Sequence, residues 1–164
     1  MLLDIRWYLR LLRLIAIIMI SLDVVSEEKN WSKKIKQKEI FFQLICKSFP
    51  KKYQFINKKI LLTLLLSNNK GTKILNKKFR KKNKVTDILS FPLQKKIRLK
   101  NKSYLGDIII NLSKTINIHN SIKEKLDELW IHGLVHLLGG RHKGKGEYLN
   151  MQKFENKILN SINK

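Results

Sequence analysis

HGLVHLLGGRH, from His132 to His142, sets three imidazoles where a single divalent ion can be shared by all of them. On an α-helix His132 and His136, four positions apart, stack on one face about 6 Å apart, a span that tetrahedral zinc bridges. Gly139 and Gly140 follow, and glycine readily takes the left-handed conformation that ends a helix and turns the chain back. The reversal predicts that His142 returns as a third ligand. Three protein ligands leave one position of a tetrahedral ion open to water, as in catalytic rather than structural zinc sites. Two histidines four apart are by themselves a common surface or core feature. What singles this pair out is that three of the chain's four histidines fall in this one stretch, with a helix-ending signal between the second and the third.

Working outward, Ser121 and Glu124 make the S-x-x-E pattern of a capping box, so the histidine helix is expected from Ser121 to about Leu138, with Ile122, Leu126, Leu129 and Leu137 on its buried face. A last helix is expected over about Glu147 to Ile162, burying Met151, Phe154, Ile158 and Ile162 on one side. Upstream, YLGDIIIN (Tyr104–Asn111) and KILLTLLLS (Lys59–Ser67) read as strands, and MISLDVV from Met19 as an alternating first strand. DILSFP reads as an edge strand, because Pro92 lacks the amide proton that a central strand needs. A helix is expected from near Ser32 to Pro50, on the period of Ile35, Phe42, Ile45 and Phe49, and a short one over Thr72 to Phe79. The fold class is α/β (α+β): a small mixed four-stranded sheet packed with helices, with the metal site on a helix-turn in the C-terminal part.

A chain of 164 residues, 43% hydrophobic, is enough for one domain with a core. The single cysteine, Cys46, is expected in a buried helix position; alone it forms no internal disulfide, which fits a reducing cytoplasm. A formal charge of +23 attracts phosphate backbones, although a composition rich in Lys, Asn and Ile together accounts for part of it. The basic run LNKKFRKKNK carries Arg80, Lys81 and Lys82 toward DILSFP as a phosphate-attracting edge. Arg80 stands out in it because a planar guanidinium binds two phosphate oxygens at once and a lysine does not. The first eighteen residues combine three arginines with an apolar run to Ile20. That run is far shorter than the roughly 20 residues a span needs, and no small-residue cleavage site follows. No membrane anchor is expected; residues 1–18 read as an extension before a domain of residues 19–164, with Met19 a possible start of translation.

HGLVHLLGGRH, VTDILSFP, LGDIIIN and LNKKFR resemble the successive signature segments of the YbeY family of metal-dependent endoribonucleases, over about Met19 to the C terminus. The resemblance implies a zinc ion held by His132, His136 and His142, with Arg80 as the functional arginine. It also implies cleavage of single-stranded RNA in the maturation of small-subunit (16S) ribosomal RNA and in ribosome quality control. The partners would then be ribosomal RNA and the small ribosomal subunit, and the compartment the cytoplasm. One departure is Arg141, where the family usually carries an acidic residue before its third histidine. Loss of a carboxylate that orients a ligand weakens a metal site.

Two other readings compete. The spacing H-x3-H-x2-G-x2-H is also that of metzincin proteases, but those need a glutamate directly after the first histidine as general base, and Gly133 stands there. The other reading is a non-catalytic basic ribosome-associated protein whose metal site is structural or vestigial, which Arg141 favours. Asp87, Asp107 and Glu147 are candidates for a general base by charge alone, and each reads more simply as a structural or capping residue.

Overall fold

The run KILLTLLLS forms one of the two interior strands of the sheet, paired on both sides, with its two faces covered to different degrees. Ile60, Leu62, Leu64 and Leu66 are at most 1% exposed on one face, whereas Leu61, Thr63 and Leu65 are half-buried on the other. The computed structural model describes residues 20–46, 59–93, 102–116 and 122–162. Among these, four strands form one sheet: β1 (Ile20–Ser26), β2 (Lys59–Ser67), β3 (Ile88–Pro92) and β4 (Lys102–Asn111). The spatial order is β1-β2-β4-β3, with β1, β2 and β4 mutually parallel along neighbouring pairs and β3 antiparallel to β4. The sheet is therefore mixed, and Pro92 lies on its edge strand, paired in register with Gly106. In β1, Leu22 and Val24 turn to the core while Val25 is exposed, the expected alternation.

Six helices accompany these strands among the described residues: α1 (Asn30–Lys34), α2 (Lys38–Cys46), α3 (Asn69–Arg80), α4 (Leu112–Ile116), α5 (Ile122–Leu137) and α6 (Lys145–Ile162). The single helix expected from Ser32 toward Pro50 is two helices. Ile35 is extended and Gln37 has a left-handed φ of 52°. The break follows from tertiary partners that lie in different places. The Trp31 indole N–H donates to Ser67 O at the end of β2 (3.1 Å), while Phe42 packs edge-on against Trp130 of α5, whose own indole N–H donates to Phe42 O (3.0 Å). The expected stop at Pro50, the Ser121 cap and residues 1–18 lie outside the described residues, and Cys46 ends α2.

Helix α3 is longer than the expected Thr72–Phe79 because Asn68, directly after the strand, is its N-cap and accepts from the Gly71 amide at 3.0 Å. At its other end Lys81 is left-handed, with φ 58°, so the helix stops directly after Arg80. The buried Asn76 holds the following loop by donating to Lys84 O at 2.8 Å.

Helix α5 lies across β3 and β4 and against α6. Gly133 makes that approach possible: a Cβ there would stand 2.9 Å from Ile108 Cγ2 and 3.1 Å from Ile88 Cδ1. The anticipated face of Leu126, Leu129 and Leu137 is buried, and burial extends to Trp130, Ile131, Leu134 and Val135, since the helix is covered on most sides. On α6, Met151 and Ile158 are buried, with Phe154 and Ile162 packed beside them.

One buried side chain ties three elements together. Asn111, 0% exposed at the end of β4, donates to Asn69 Oδ1 (2.9 Å), Thr72 Oγ1 (3.0 Å) and Thr86 O (3.0 Å), and accepts from the Ser113 amide (3.0 Å). Asn111→Ala strands several buried polar groups, and each such loss costs about 1–3 kcal/mol. We expect a destabilisation of about 2–4 kcal/mol in urea unfolding, and a change below about 0.5 kcal/mol, the range of a neutral surface substitution, would show that the network adds nothing.

Candidate metal centre

His132 and His136 project from one face of α5 because they are one helical turn apart, and their Nε2 atoms lie 3.1 Å apart. Two ligands of a tetrahedral ion with 2.0–2.1 Å bonds stand roughly 3.3 Å apart, so the pair is already at ligand spacing. The helix then ends in a Schellman turn: Gly140 N donates to Val135 O (2.8 Å), Gly139 N to His136 O (3.0 Å), and Gly139 has φ +93°. The turn sends the chain back over the pair. The His142 ring centre comes to rest 4.9 Å from that of His136 and 5.8 Å from that of His132. One potential ligand atom from each of the three histidines lies within 4.8 Å of the others.

The far side of each helical imidazole is held. His132 Nδ1 meets Glu155 Oε1 of α6 at 2.9 Å, and His136 Nδ1 meets Gly140 O at 2.9 Å. A carboxylate and a carbonyl accept, so both Nδ1 atoms carry the proton and both Nε2 lone pairs face the shared point. Burial pushes the His136 imidazole below the usual histidine range, aided by the neighbouring His132, His142 and Arg80, while its bond to Gly140 acts in the opposite sense. The neutral form is the one that ligates metal, so the His136 imidazole is suited to hold a divalent ion. Among the described residues the cluster comprises these three histidines, which matches an open site rather than a closed four-ligand structural one.

Arg80 and the histidines come together although 52 positions separate Arg80 from His132 in sequence. Arg80, at the end of α3, borders one cleft with Ser90, His136, His142, Arg141 and Lys143. The other two sequence candidates, Lys81 and Lys82, are exposed and do not border it; the Lys81 ammonium turns back to donate to Lys78 O at 3.2 Å. A second cleft opens on the far side of His132, bordered by Asp87, Glu128 and Glu155. The candidate bases have structural partners: Asp87 accepts from the Ile88 amide (2.9 Å), Asp107 pairs with the Tyr104 hydroxyl, and Glu147 accepts from the Lys143 amide (3.1 Å). Sequence reasoning misses Glu155. Its only signal is its place beside Phe154 and one turn after Met151, which reads as the margin of a core face. The protease reading fails on Gly133, which is buried against Ile108 and Ile88 and leaves no room for a base at that position.

His132→Ala, His136→Ala and His142→Ala should each strip most of the divalent metal from the protein, read by elemental analysis. Glu155→Gln keeps the shape but weakens the hold on the His132 ring, and should lower metal affinity by about 10–100-fold. Unchanged affinity in Glu155→Gln would mean that the carboxylate does not set the His132 tautomer.

A family model described as endoribonuclease YbeY matches residues 18–163. An endoribonuclease YbeY of Pelagibacter ubique is 52% identical over 149 residues, covering 88% of this chain and 97% of its own length. Another, from Buchnera aphidicola subsp. Cinara cedri, is 37% identical over 141 residues, covering 76% of this chain and 90% of its own. The solution structure of TM1509 from Thermotoga maritima covers 87% of this chain and 92% of its own at 21% identity, with a TM-score of 0.49. With a three-histidine centre carried on the helix-turn that the resemblance singles out, and with the family model matched from one end of the described residues to the other, the chain belongs to the endoribonuclease YbeY family.

Proposed function

We propose that this endoribonuclease-family chain is a zinc-dependent hydrolase that cuts single-stranded RNA, acting in 3′-end maturation of small-subunit ribosomal RNA and in ribosome quality control in the cytoplasm. The observation that carries the proposal is the convergence of His132, His136 and His142, the last two of which line a cleft that Arg80 also borders. A zinc ion held there supplies Lewis acidity, which lowers the pKa of water toward neutrality and polarises a phosphoryl oxygen.

The chain's own groups do the rest. His132 and His136 present paired Nε2 lone pairs, oriented from behind by Glu155 and Gly140. Arg80 sits in the last turn of α3, where the negative end of the helix dipole favours a cation, and its fork offsets the charge that builds on the phosphate in the transition state. Lys81 and Lys82, exposed beside it, serve as flanking contacts to the RNA backbone. A net charge of +23 supports a polyanionic partner. Among the described residues no helix is long and apolar enough to cross a membrane.

The test is cleavage of a single-stranded RNA oligonucleotide against its duplex, with metal content measured in the same preparation. Cleavage of the single strand that stops on chelation and returns with zinc is expected; cleavage indifferent to chelation would overturn the metal-dependent reading. Arg80→Lys keeps the charge and loses the two-point contact, so kcat/KM should fall roughly 10–100-fold with the fold and metal content intact. Equal kcat/KM in the two proteins would show that a charge alone suffices at position 80.

A further inference from the structure

The cleft over His136 and His142 takes its cations from two separate elements. Arg80 stands on the wall built by the end of α3 and by Ser90 of β3. The turn after α5 contributes Arg141 and Lys143 to the same cleft. No aspartate or glutamate among the described residues borders this cleft, and none forms an ion pair with Arg80, Arg141 or Lys143. The cleft on the other side of His132 is bordered instead by Asp87, Glu128 and Glu155, against one cation, Lys125, which pairs with Glu128 at 3.1 Å. The histidine cluster thus lies on a boundary between a cationic and an acidic cleft, and a polyanion is drawn to the first and repelled from the second.

Arg141 is placed by the same turn that places His142. Its chain neighbour Gly140 is tied at both ends, the amide to Val135 O (2.8 Å) and the carbonyl to His136 Nδ1 (2.9 Å). The side chain therefore starts from a backbone anchored to a metal-ligating residue. It borders both this cleft and a second one that reaches Glu147, Met151 and Phe154, and it is exposed.

We propose that Arg141 is a substrate-binding residue: an RNA phosphate lies in this cleft between the guanidinium groups of Arg80 and Arg141, with Lys143 as a supporting cation. This rests on the ribonuclease reading above and adds to it a second arm and the side from which the strand enters. Two planar forks brought to one cleft by different elements grip a phosphate more firmly than one and fix its position beside the histidines.

The experiment compares the metal-loaded wild type with Arg141→Gln, Arg141→Lys and, as a control for bulk charge, Lys153→Gln. Lys153 borders a separate cleft on α6. Binding of a fluorescent single-stranded RNA is measured across a salt series, together with KM and kcat for its cleavage and the metal content of each protein. Arg141→Gln should raise Kd and KM roughly tenfold, as expected for a lost charged hydrogen bond, with metal content unchanged. The slope of log binding constant against log salt should fall by roughly 0.7, one phosphate contact on a single strand. Arg141→Lys should keep the slope and recover only part of the affinity, and Lys153→Gln should leave both unchanged. A wild-type Kd and slope in Arg141→Gln, a slope loss equalled by Lys153→Gln, or loss of metal from Arg141→Gln would each overturn the proposal while leaving the ribonuclease reading in place. A wild type that neither binds nor cleaves single-stranded RNA would overturn both.

Discussion

The close approach of α5 to the edge of the sheet is the contact on which the rest of the molecule depends. A side chain at position 133 would press on Ile108 of β4 and Ile88 of β3, so the absence of one lets the helix settle into the sheet. Its neighbours in sequence then have set places. Trp130, Ile131, Leu134 and Leu137 fill the core, and His132 and His136 are left on the face that looks away from it, each only partly exposed. A close-packed interior transmits this placement to the site without slack. The glycine that excludes a protease-type base is the residue that aims the histidines.

Arg80 is positioned by a different device. Its helix is capped by Asn68, hung from the buried Asn111 through Asn69 and Thr72, and stopped by the left-handed Lys81. Asn76 then secures the loop through Lys84 O, and Asn111 secures the next segment through Thr86 O. Buried, hydrogen-bonded amides rigidify a loop in a way that apolar contacts do not. Two asparagines without catalytic chemistry thereby hold the arginine at the histidine cleft. The polarity of the centre comes from the same arrangement: the end of α3 and the turn after α5 bring cations together on one side, and α6 brings Glu155 to the other, where it faces the back of His132.

Sequence alone determined whatever depends on local spacing or on chain chemistry. A four-residue interval stacks His132 on His136, paired glycines end the helix after them, a continuous apolar run makes β2 a central strand, and Pro92 confines β3 to an edge. Only the tertiary structure decided which distant groups share a cleft. Glu155 is one surface-seeking carboxylate among twelve acidic residues until α6 packs on α5, and Arg141 and Lys143 are two of thirty-five basic residues until the Schellman turn sets them in the cleft that Arg80 borders. The break at Gln37 belongs to the same class, because Trp31 and Phe42 obey a single helical period yet are claimed by partners in different parts of the molecule. Spacing along the chain encodes a helix face directly. It does not encode the packing energy by which one helix chooses its place against another.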